Sequence, residues 1–525
     1  MQRAAVVPAP HVRARRGLLR VRAGSALCIV GAAIALSACG GPGQRSTLPA
    51  MGYGHVLRGA GSNPIQHVVI IMQENRSFDN FFYDFPGANG ATYGYGHGVK
   101  HTLQPHDLTL PQDPIHSHWQ FLEDWDNGKN DGWDRQVKGF DTTRRGCHVE
   151  PEDFPRCWVY NKGSFWNQIA FTYVPENQIQ PYWDMASQYT LGDDTFSSNN
   201  GESFPSHEYM IAGQSGHATE APSTNAAWGC DAPSEWEYYL AFGQSKPPVW
   251  SPKIGHEWGY RTGPDPCFPL DASPSVPYPT IADLLDRAGV SWRYYVQPNR
   301  RTKNFGYDSW WLNAFDAVKS VRHGPDWQKD ISMPDTNILG DIGKGHLQQV
   351  SWVMPHKGAS DHAGGGSGPC GPNWVASIVN AIGRSPYWKN TAIIIMWDEW
   401  GGFFDHVIPP QYADPATGAY EGLGYRVPLI VVSPYAKPHY ISHKQHEVAS
   451  TLHYIEDTFN LPFLSSLAGP SYHYADQRAD GFDDVFDYTQ QPIAFKPIKL
   501  VPNLPYHCKS APDFEEHQFG PEEDY

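Results

Sequence analysis

The sequence predicts an α/β fold: a mainly parallel central sheet flanked by helices, with long loop insertions. Two apolar runs carry that reading, Val68-Val69-Ile70-Ile71-Met72 and Ile393-Ile394-Ile395-Met396-Trp397. Unbroken β-branched runs read as strands buried on both faces, as parallel strands are beneath crossover helices. A third observation is the alternation of strand and helix patterns from residue 280 onward.

In chain order, a strand over 68–72 opens the domain. Residues from about 87 to 180 are rich in His, Asp, Gly and Trp without sustained periodicity, and read as loops and short helices. A helix over 181–187 enters the 191–196 region, and the Gly-rich segment 197–216 follows, with a helical start at 208–212. Residues 217–278 shift toward Pro, Trp, Gly and Cys, the composition of a disulfide-pinned insertion. Thr280-Ile281-Ala282-Asp283 is a capping box opening a helix that stops at Gly289. Strands over 290–295 and 349–354, a Gly-rich loop over 358–371 and a crossover helix over 374–382 lead into a strand over 392–397. A further buried strand over 427–432 and a closing helix over 446–459 complete the series.

The first 38 residues form a separate segment. Arg3, Arg13, Arg15, Arg16, Arg20 and Arg22 precede an apolar stretch over 23–38, with no acidic residue among them. This is the pattern of a secretory signal, too short and wrongly flanked for a membrane span. Leu36-Ser37-Ala38-Cys39 resembles a lipoprotein cleavage box with Cys39 as the lipidated residue, and a plain signal with a coincidental cysteine is the alternative. Residues 39–63 then read as a Gly/Pro/Ser-rich tether, 64–490 as the catalytic domain and 491–525 as a Pro-rich, acidic tail. The localisation that follows is the exported face of a bacterial envelope.

The formal charge of the chain is -16, and loss of those six arginines takes it to -22. So acidic a protein has no electrostatic reason to bind nucleic acid. Beyond Cys28 and Cys39 there remain Cys147, Cys157, Cys230, Cys267, Cys370 and Cys508. In an exported chain these suggest disulfides, with Cys147–Cys157 the shortest loop to propose and the connectivity left open. None has the C-x-x-C spacing of a zinc site.

Each of the two apolar runs ends in an acidic or amide pair, Glu74-Asn75 after the first and Asp398-Glu399 after the second. Ligands of an open α/β sheet sit beyond the carboxyl ends of its strands. One such pair alone reads as caps or solvated turns, but two in matching context point to hard oxygen ligands for a divalent cation.

Glu74-Asn75-Arg76-Ser77-Phe78-Asp79 resembles the signature of the bacterial phosphoesterase family. Asp113-Pro114-Ile115-His116-Ser117, Gly128-Lys129-Asn130-Asp131-Gly132, Trp228-Gly229-Cys230-Asp231, Ser360-Asp361-His362, the run from Asp398 to Val407, Arg426-Val427-Pro428 and Ser442-His443 follow in the family's order. The likeness runs from about residue 64 to residue 488. It includes phosphatidylcholine-type and plant non-specific phospholipases C and a respiratory-burst-inhibiting acid phosphatase, and this chain is similar to the short, single-domain members.

The resemblance implies an alkaline-phosphatase-like fold and a metal-dependent phosphoesterase, most nearly a phospholipase C. A broad-specificity acid phosphatase is the alternative on the same site, and a non-catalytic lipoprotein that binds phospho-ligands is the alternative of another class. It implies a phosphate-ester or phospholipid substrate, with the membrane reached through the lipid anchor. It places a divalent ion of open identity (calcium, zinc, manganese or magnesium) on Glu74, Asn75, Ser203, Asp398 and Glu399. Ser203 is the implied metal-bound nucleophile, in Ser203-Phe204-Pro205-Ser206-His207, where the family has Asn and Arg in the last two positions. On its own context Ser203 is an ordinary turn hydroxyl. The resemblance makes His116, His362 and His443 phosphate-pocket histidines, while Asp361, Asp405 and His406 are expected to support them and the Asp398–Glu399 turn from behind. Gly401 and Gly402 are expected to allow close backbone approach there, and His118, His207 and His217 to be loop histidines.

Overall fold

The computed structural model describes residues 63–502, apart from 141–157, 365–369, 412–421 and most of 217–276 and 300–311. Residues 1–62, with the expected signal segment and Cys39, lie outside the described residues, as do Cys147, Cys157, His217 and the end of the tail. No helix among the described residues is long and apolar enough to cross a membrane.

The central sheet has eight strands: β1 (His67–Gln73), β2 (Thr190–Gly192), β3 (Trp292–Tyr295), β4 (Ile331–Ser332), β5 (Val350–Val353), β6 (Thr391–Trp397), β7 (Leu429–Val432) and β8 (Tyr440–Ser442). Their spatial order is β4-β3-β5-β1-β6-β7-β2-β8. From Val68 to the end of β1, and along all of β6, every residue is buried. That accounts for the missing polar alternation, since neither face of these strands meets water. β1 pairs in parallel with β5 on one side and β6 on the other.

β7 is the one reversed strand of the sheet, antiparallel to both β6 and β2. The 398–428 connection contains no described helix that would cross a face. Its antiparallel pairing with β6 means that the chain enters β7 from the edge at which it left β6. This brings the start of β7, and Arg426 just before it, to the edge where β1 and β6 end.

The longer helices are α1 (Phe78–Phe82), α2 (His118–Trp125), α3 (Gln180–Gln188), α4 (Ser203–Ala212), α5 (Ile281–Ala288), α6 (Asn337–Lys344), α7 (Gly371–Gly383) and α8 (Ser450–Phe459). α7 packs beside α3 and α6, and α4 contacts α5 and α8. α5 starts as its capping box demands: the Asp283 carboxylate accepts from the Thr280 backbone N–H at 2.8 Å and from its hydroxyl at 3.1 Å. Gly289 ends it in the left-handed region.

Two helix boundaries differ from expectation. α4 begins at Ser203 rather than Glu208, because Pro205 falls in the first turn, where a missing N–H removes no helical bond. α8 begins at Ser450, since His446–Glu447 pairs as a short strand with Thr195–Phe196.

A disulfide joins Cys230 to Cys267 across the expected insertion, and Cys370 is disulfide-bonded as well. The first part of the expected tail runs along α7. There Asn380 exchanges hydrogen bonds with the Ile498 backbone at 2.8 and 2.9 Å, and Asn373 accepts from the Val501 N–H at 2.7 Å.

Candidate active site

The register Gln73↔Trp397 ends β1 and β6 side by side, so Glu74-Asn75 and Asp398-Glu399 emerge together. One carboxylate ties the two turns. Oδ1 of Asp398 accepts from the backbone N–H of Asn75 and from that of Glu399, each at 2.8 Å. Asn75 donates that bond from a left-handed backbone, φ 60°, a conformation asparagine tolerates better than most residues. All four side chains are buried. Gly401 and Gly402 then turn with φ of 64° and 69°. A Cβ on Gly401 would stand 2.0 Å from the Asn75 carbonyl oxygen, and one on Gly402 2.4 Å from that of Ile115. The expected close approach is therefore present at both glycines.

α4 enters from across the crevice with Ser203 at its first turn. The Ser203 hydroxyl lies 3.5 Å from Asn75 Oδ1, and the Ser206 hydroxyl donates to the Asp398 carbonyl at 2.6 Å. His207 is not a loop residue: it is fully buried on α4, with Nε2 3.1 Å from Glu74 Oε1 and 3.7 Å from Asp398 Oδ2. Residues three and four apart share a helix face, so a helix starting at Ser203 delivers Ser206 and His207 to the same place. That spacing was the available signal for His207. His118 is likewise helical and buried, with Nδ1 against the Asn200 carbonyl at 3.0 Å, and burial pushes it down to about 4.

Burial, reinforced by neighbouring Asp398 and opposed by His207, pushes the Glu74 carboxyl up to about 7. Burial also drives Glu399 well above the carboxylate range despite His116 nearby. For Asp398, burial is outweighed by His207 and by donors including Ser203, which hold it below its ordinary value. Glu74 Oε2, Asp398 Oδ2 and Glu399 Oε1 are buried without a hydrogen-bond partner among the described residues. Unpaired buried carboxylate oxygens are costly, and a cation among them removes the cost. The donor set of carboxylate, amide and hydroxyl oxygens fits a divalent ion, and atoms of Glu74, Asp398 and His207 already lie within 4.8 Å of one another.

His116 sits on the turn before α2, with Nδ1 at 2.8 Å from the Pro114 carbonyl and Nε2 at 3.0 Å from the Asn75 amide. Burial disfavours its charge, but Glu399, Asp113 and Glu202 outweigh burial and push it up to about 10. The His362 ring lies 5.6 Å from the His116 ring, and Asp113 completes this group. The structure thus gathers Glu74, Asn75, Ser203, Asp398, Glu399, His116 and His362. His443 is placed differently, following β8, with its side chain 64% exposed and paired to Asp193 at 2.9 Å.

The supporting residues act elsewhere than expected. The Asp361 carboxylate accepts from the Tyr182 hydroxyl at 2.6 Å, and its backbone oxygen from Arg76 Nε at 2.8 Å. It therefore braces Arg76 and α3 rather than orienting His362. Asp405 and His406 do not hold the Asp398–Glu399 turn, because the left-handed Gly401-Gly402 pair leads the chain away from it. Asp405 grips the buried Arg426 at 2.8 and 3.1 Å, and His406 Nδ1 meets Asp79 at 2.7 Å. Arg426 also stacks over the Phe78 ring, 4.7 Å from its centroid. Asp79 and Arg426 both stood in the recognised motifs, but their pairing across nearly the whole domain had no local signal.

The chain belongs to the Phosphoesterase family, which it matches over residues 65–462. It is 28% identical over 450 residues to a non-hemolytic phospholipase C of Burkholderia pseudomallei, covering 75% of this chain and 55% of that protein. It therefore spans about half the length of that relative. To phospholipase C B of Mycobacterium tuberculosis it is 24% identical over 515 residues, covering 85% of this chain and 84% of the other. Among solved structures, a protein in the alkaline phosphatase superfamily from Vibrio parahaemolyticus aligns over 78% of this chain and 69% of its own, at 10% identity and a TM-score of 0.32.

Arg426→Ala should cost about 3–5 kcal/mol, because it strands the buried carboxylates of Asp405 and Asp79. Urea unfolding checks this, and a loss below about 1 kcal/mol would show that the cluster is not a buried ion pair network.

Asp361 gives a pH-dependent effect. Burial, only partly offset by Tyr182 and Arg76, raises its carboxyl from 3.8 to about 7 in the folded protein. The folded state then holds a proton that the unfolded chain releases, so this group's contribution falls as pH rises between those values and stays low above them. Asp361→Asn should gain stability relative to wild type between about pH 4 and pH 7. Unfolding midpoints for both proteins that kept a constant difference over that range would contradict the assignment.

Proposed function

We propose that this protein is a metal-dependent phosphoric ester hydrolase of phospholipase C type that uses Ser203 as its nucleophile. The observation that carries the reading is the convergence of Ser203 and Asn75 with three buried carboxylates, each with one oxygen that has no hydrogen-bond partner among the described residues. Family membership and the relatives called phospholipase C support the same class. Held by Glu74, Asn75, Ser203, Asp398 and Glu399, a divalent cation would supply charge neutralisation and lower the pKa of the serine hydroxyl.

The chain's own residues divide the remaining work. Ser203 gives up its hydroxyl proton to solvent and Oγ attacks phosphorus, forming a P–O bond as the ester oxygen leaves with its electron pair. α4 begins at Ser203 without a side-chain cap, so its N-terminal end favours negative charge beside that residue. His116, held in its protonated form by the surrounding carboxylates, is the donor of the proton that the leaving oxygen takes. His362, beside it, lies in reach of the same oxygens. Water then cleaves the phosphoserine and restores the hydroxyl. Asn75 positions Ser203 and faces His116, so it joins the nucleophile and the acid.

Export and a lipid anchor at Cys39 belong to this proposal and rest on the residues of the first segment. A broad-specificity acid phosphatase uses the same groups, and substrate choice separates the two. The test is release of p-nitrophenol from its phosphate and phosphorylcholine esters, by wild type and Ser203→Ala. Turnover of the phosphorylcholine ester, its loss on prolonged chelation and its return with a divalent ion are expected. Ser203→Ala should lose several orders of magnitude in kcat, up to about a million-fold, with folding unchanged. Near-wild-type turnover by a folded Ser203→Ala protein would remove Ser203 from the mechanism.

A further inference from the structure

We infer that His207 is itself a metal ligand, through Nε2, and that it makes this site selective for zinc-like ions over calcium and magnesium. The inference rests on the metal reading above and extends it to a residue outside that ligand set. The sequence places a histidine where the resembled family has an arginine. Arginine cannot give up its proton to bind a cation, whereas neutral imidazole can.

The geometry favours ligation over a simple ion pair. Nε2 stands 3.1 Å from Glu74 Oε1 and 3.7 Å from Asp398 Oδ2. The longer separation is not a hydrogen bond. Adjacent donors around an ion with bonds of about 2.0–2.2 Å lie roughly 2.8–3.6 Å apart, from six- to four-coordinate geometry, and the two observed separations lie in or next to that range. The second oxygen of Glu74 and Oδ2 of Asp398 have no hydrogen-bond partner among the described residues, so the carboxylates facing His207 have free electron pairs.

Nδ1 is buried with no hydrogen-bond partner among the described residues, so no other contact competes for the orientation of the ring. The ring is also held in place. One residue earlier on α4, Ser206 donates to the Asp398 carbonyl at 2.6 Å, which fixes the helix against the strand end that carries the carboxylate. Nitrogen in place of oxygen favours zinc and later transition ions, and disfavours hard calcium and magnesium.

The test uses purified protein stripped of metal and measures binding rather than turnover. Calorimetry with zinc, manganese, calcium and magnesium should show wild type preferring zinc over calcium, and His207→Gln should reduce that preference by roughly ten- to a hundredfold. Pulsed electron-spin-echo spectroscopy of protein loaded with one equivalent of manganese should show coupling to a directly bound imidazole nitrogen. The coupling should vanish in His207→Gln at unchanged metal stoichiometry. Should that variant fail to fold, His207→Asn serves, and wild type alone can still refute the idea. Manganese bound without nitrogen coupling, or calcium bound at least as tightly as zinc, would overturn the role of His207 and leave the oxygen site standing. No binding of any of the four ions would overturn both readings.

Discussion

Oδ1 of Asp398 receives two backbone N–H groups, one from its own turn and one from the turn that ends β1. The rest of the site depends on this double bond to a single oxygen. It holds Asn75 in the left-handed region, which directs the Asn75 side chain toward Ser203 and His116. It leaves Oδ2 free to face α4. Because β1 and β6 pair in register up to Gln73 and Trp397, the interaction is anchored on the stiffest part of the molecule rather than on a loop. A one-residue slip of that pairing would swap the faces of both strands and separate the turns.

Concentrating carboxylates at that point opposes stability. Glu74 and Glu399 are held above their ordinary values by burial. A fold tolerates such groups where a ligand resolves them and where neighbouring interactions over-determine the backbone. The Arg426 cluster provides the second condition. It locks the segment after Gly402 to α1 and to the loop at Asn89, so the Gly401-Gly402 turn is fixed at both ends. Reversal of β7 is what brings Arg426 to this edge at all.

Much of this was legible in the sequence where the signal was local. β1 and β6 could be read because unbroken burial writes itself as an unbroken apolar run, and α5 because both its caps are encoded within ten residues. Glu74, Asn75, Asp398 and Glu399 could be placed in one crevice because strand ends define it. What escaped depended on long-range geometry. The direction of β7 is decided by the path of the preceding connection, not by Val431 or Val432. α4 looked like a turn because Ser203-Phe204-Pro205-Ser206 is turn chemistry, yet it folds as a first helical turn under its tertiary contacts. His207 was misjudged with it. Asp405 and His406 follow the acidic pair closely in sequence but are carried away by two left-handed glycines.

The electrostatics of the whole chain constrain how such a site can work. A formal charge of -16 repels anions at long range, so steering of an anionic ligand toward the crevice is unfavourable. Attraction must come from groups within a Debye length, about 8–10 Å, of the phosphorus. His116 is held in its charged form by the acidic residues around it, and the N-terminal end of α4, without a side-chain cap, favours negative charge beside Ser203. Burial holds Glu74 and Glu399 toward their neutral forms, so neither attracts an anion by itself. On the proposed reading, the ion that would relieve the buried oxygens would also reverse the local potential, and the acidic cluster would serve binding only with that ion in place.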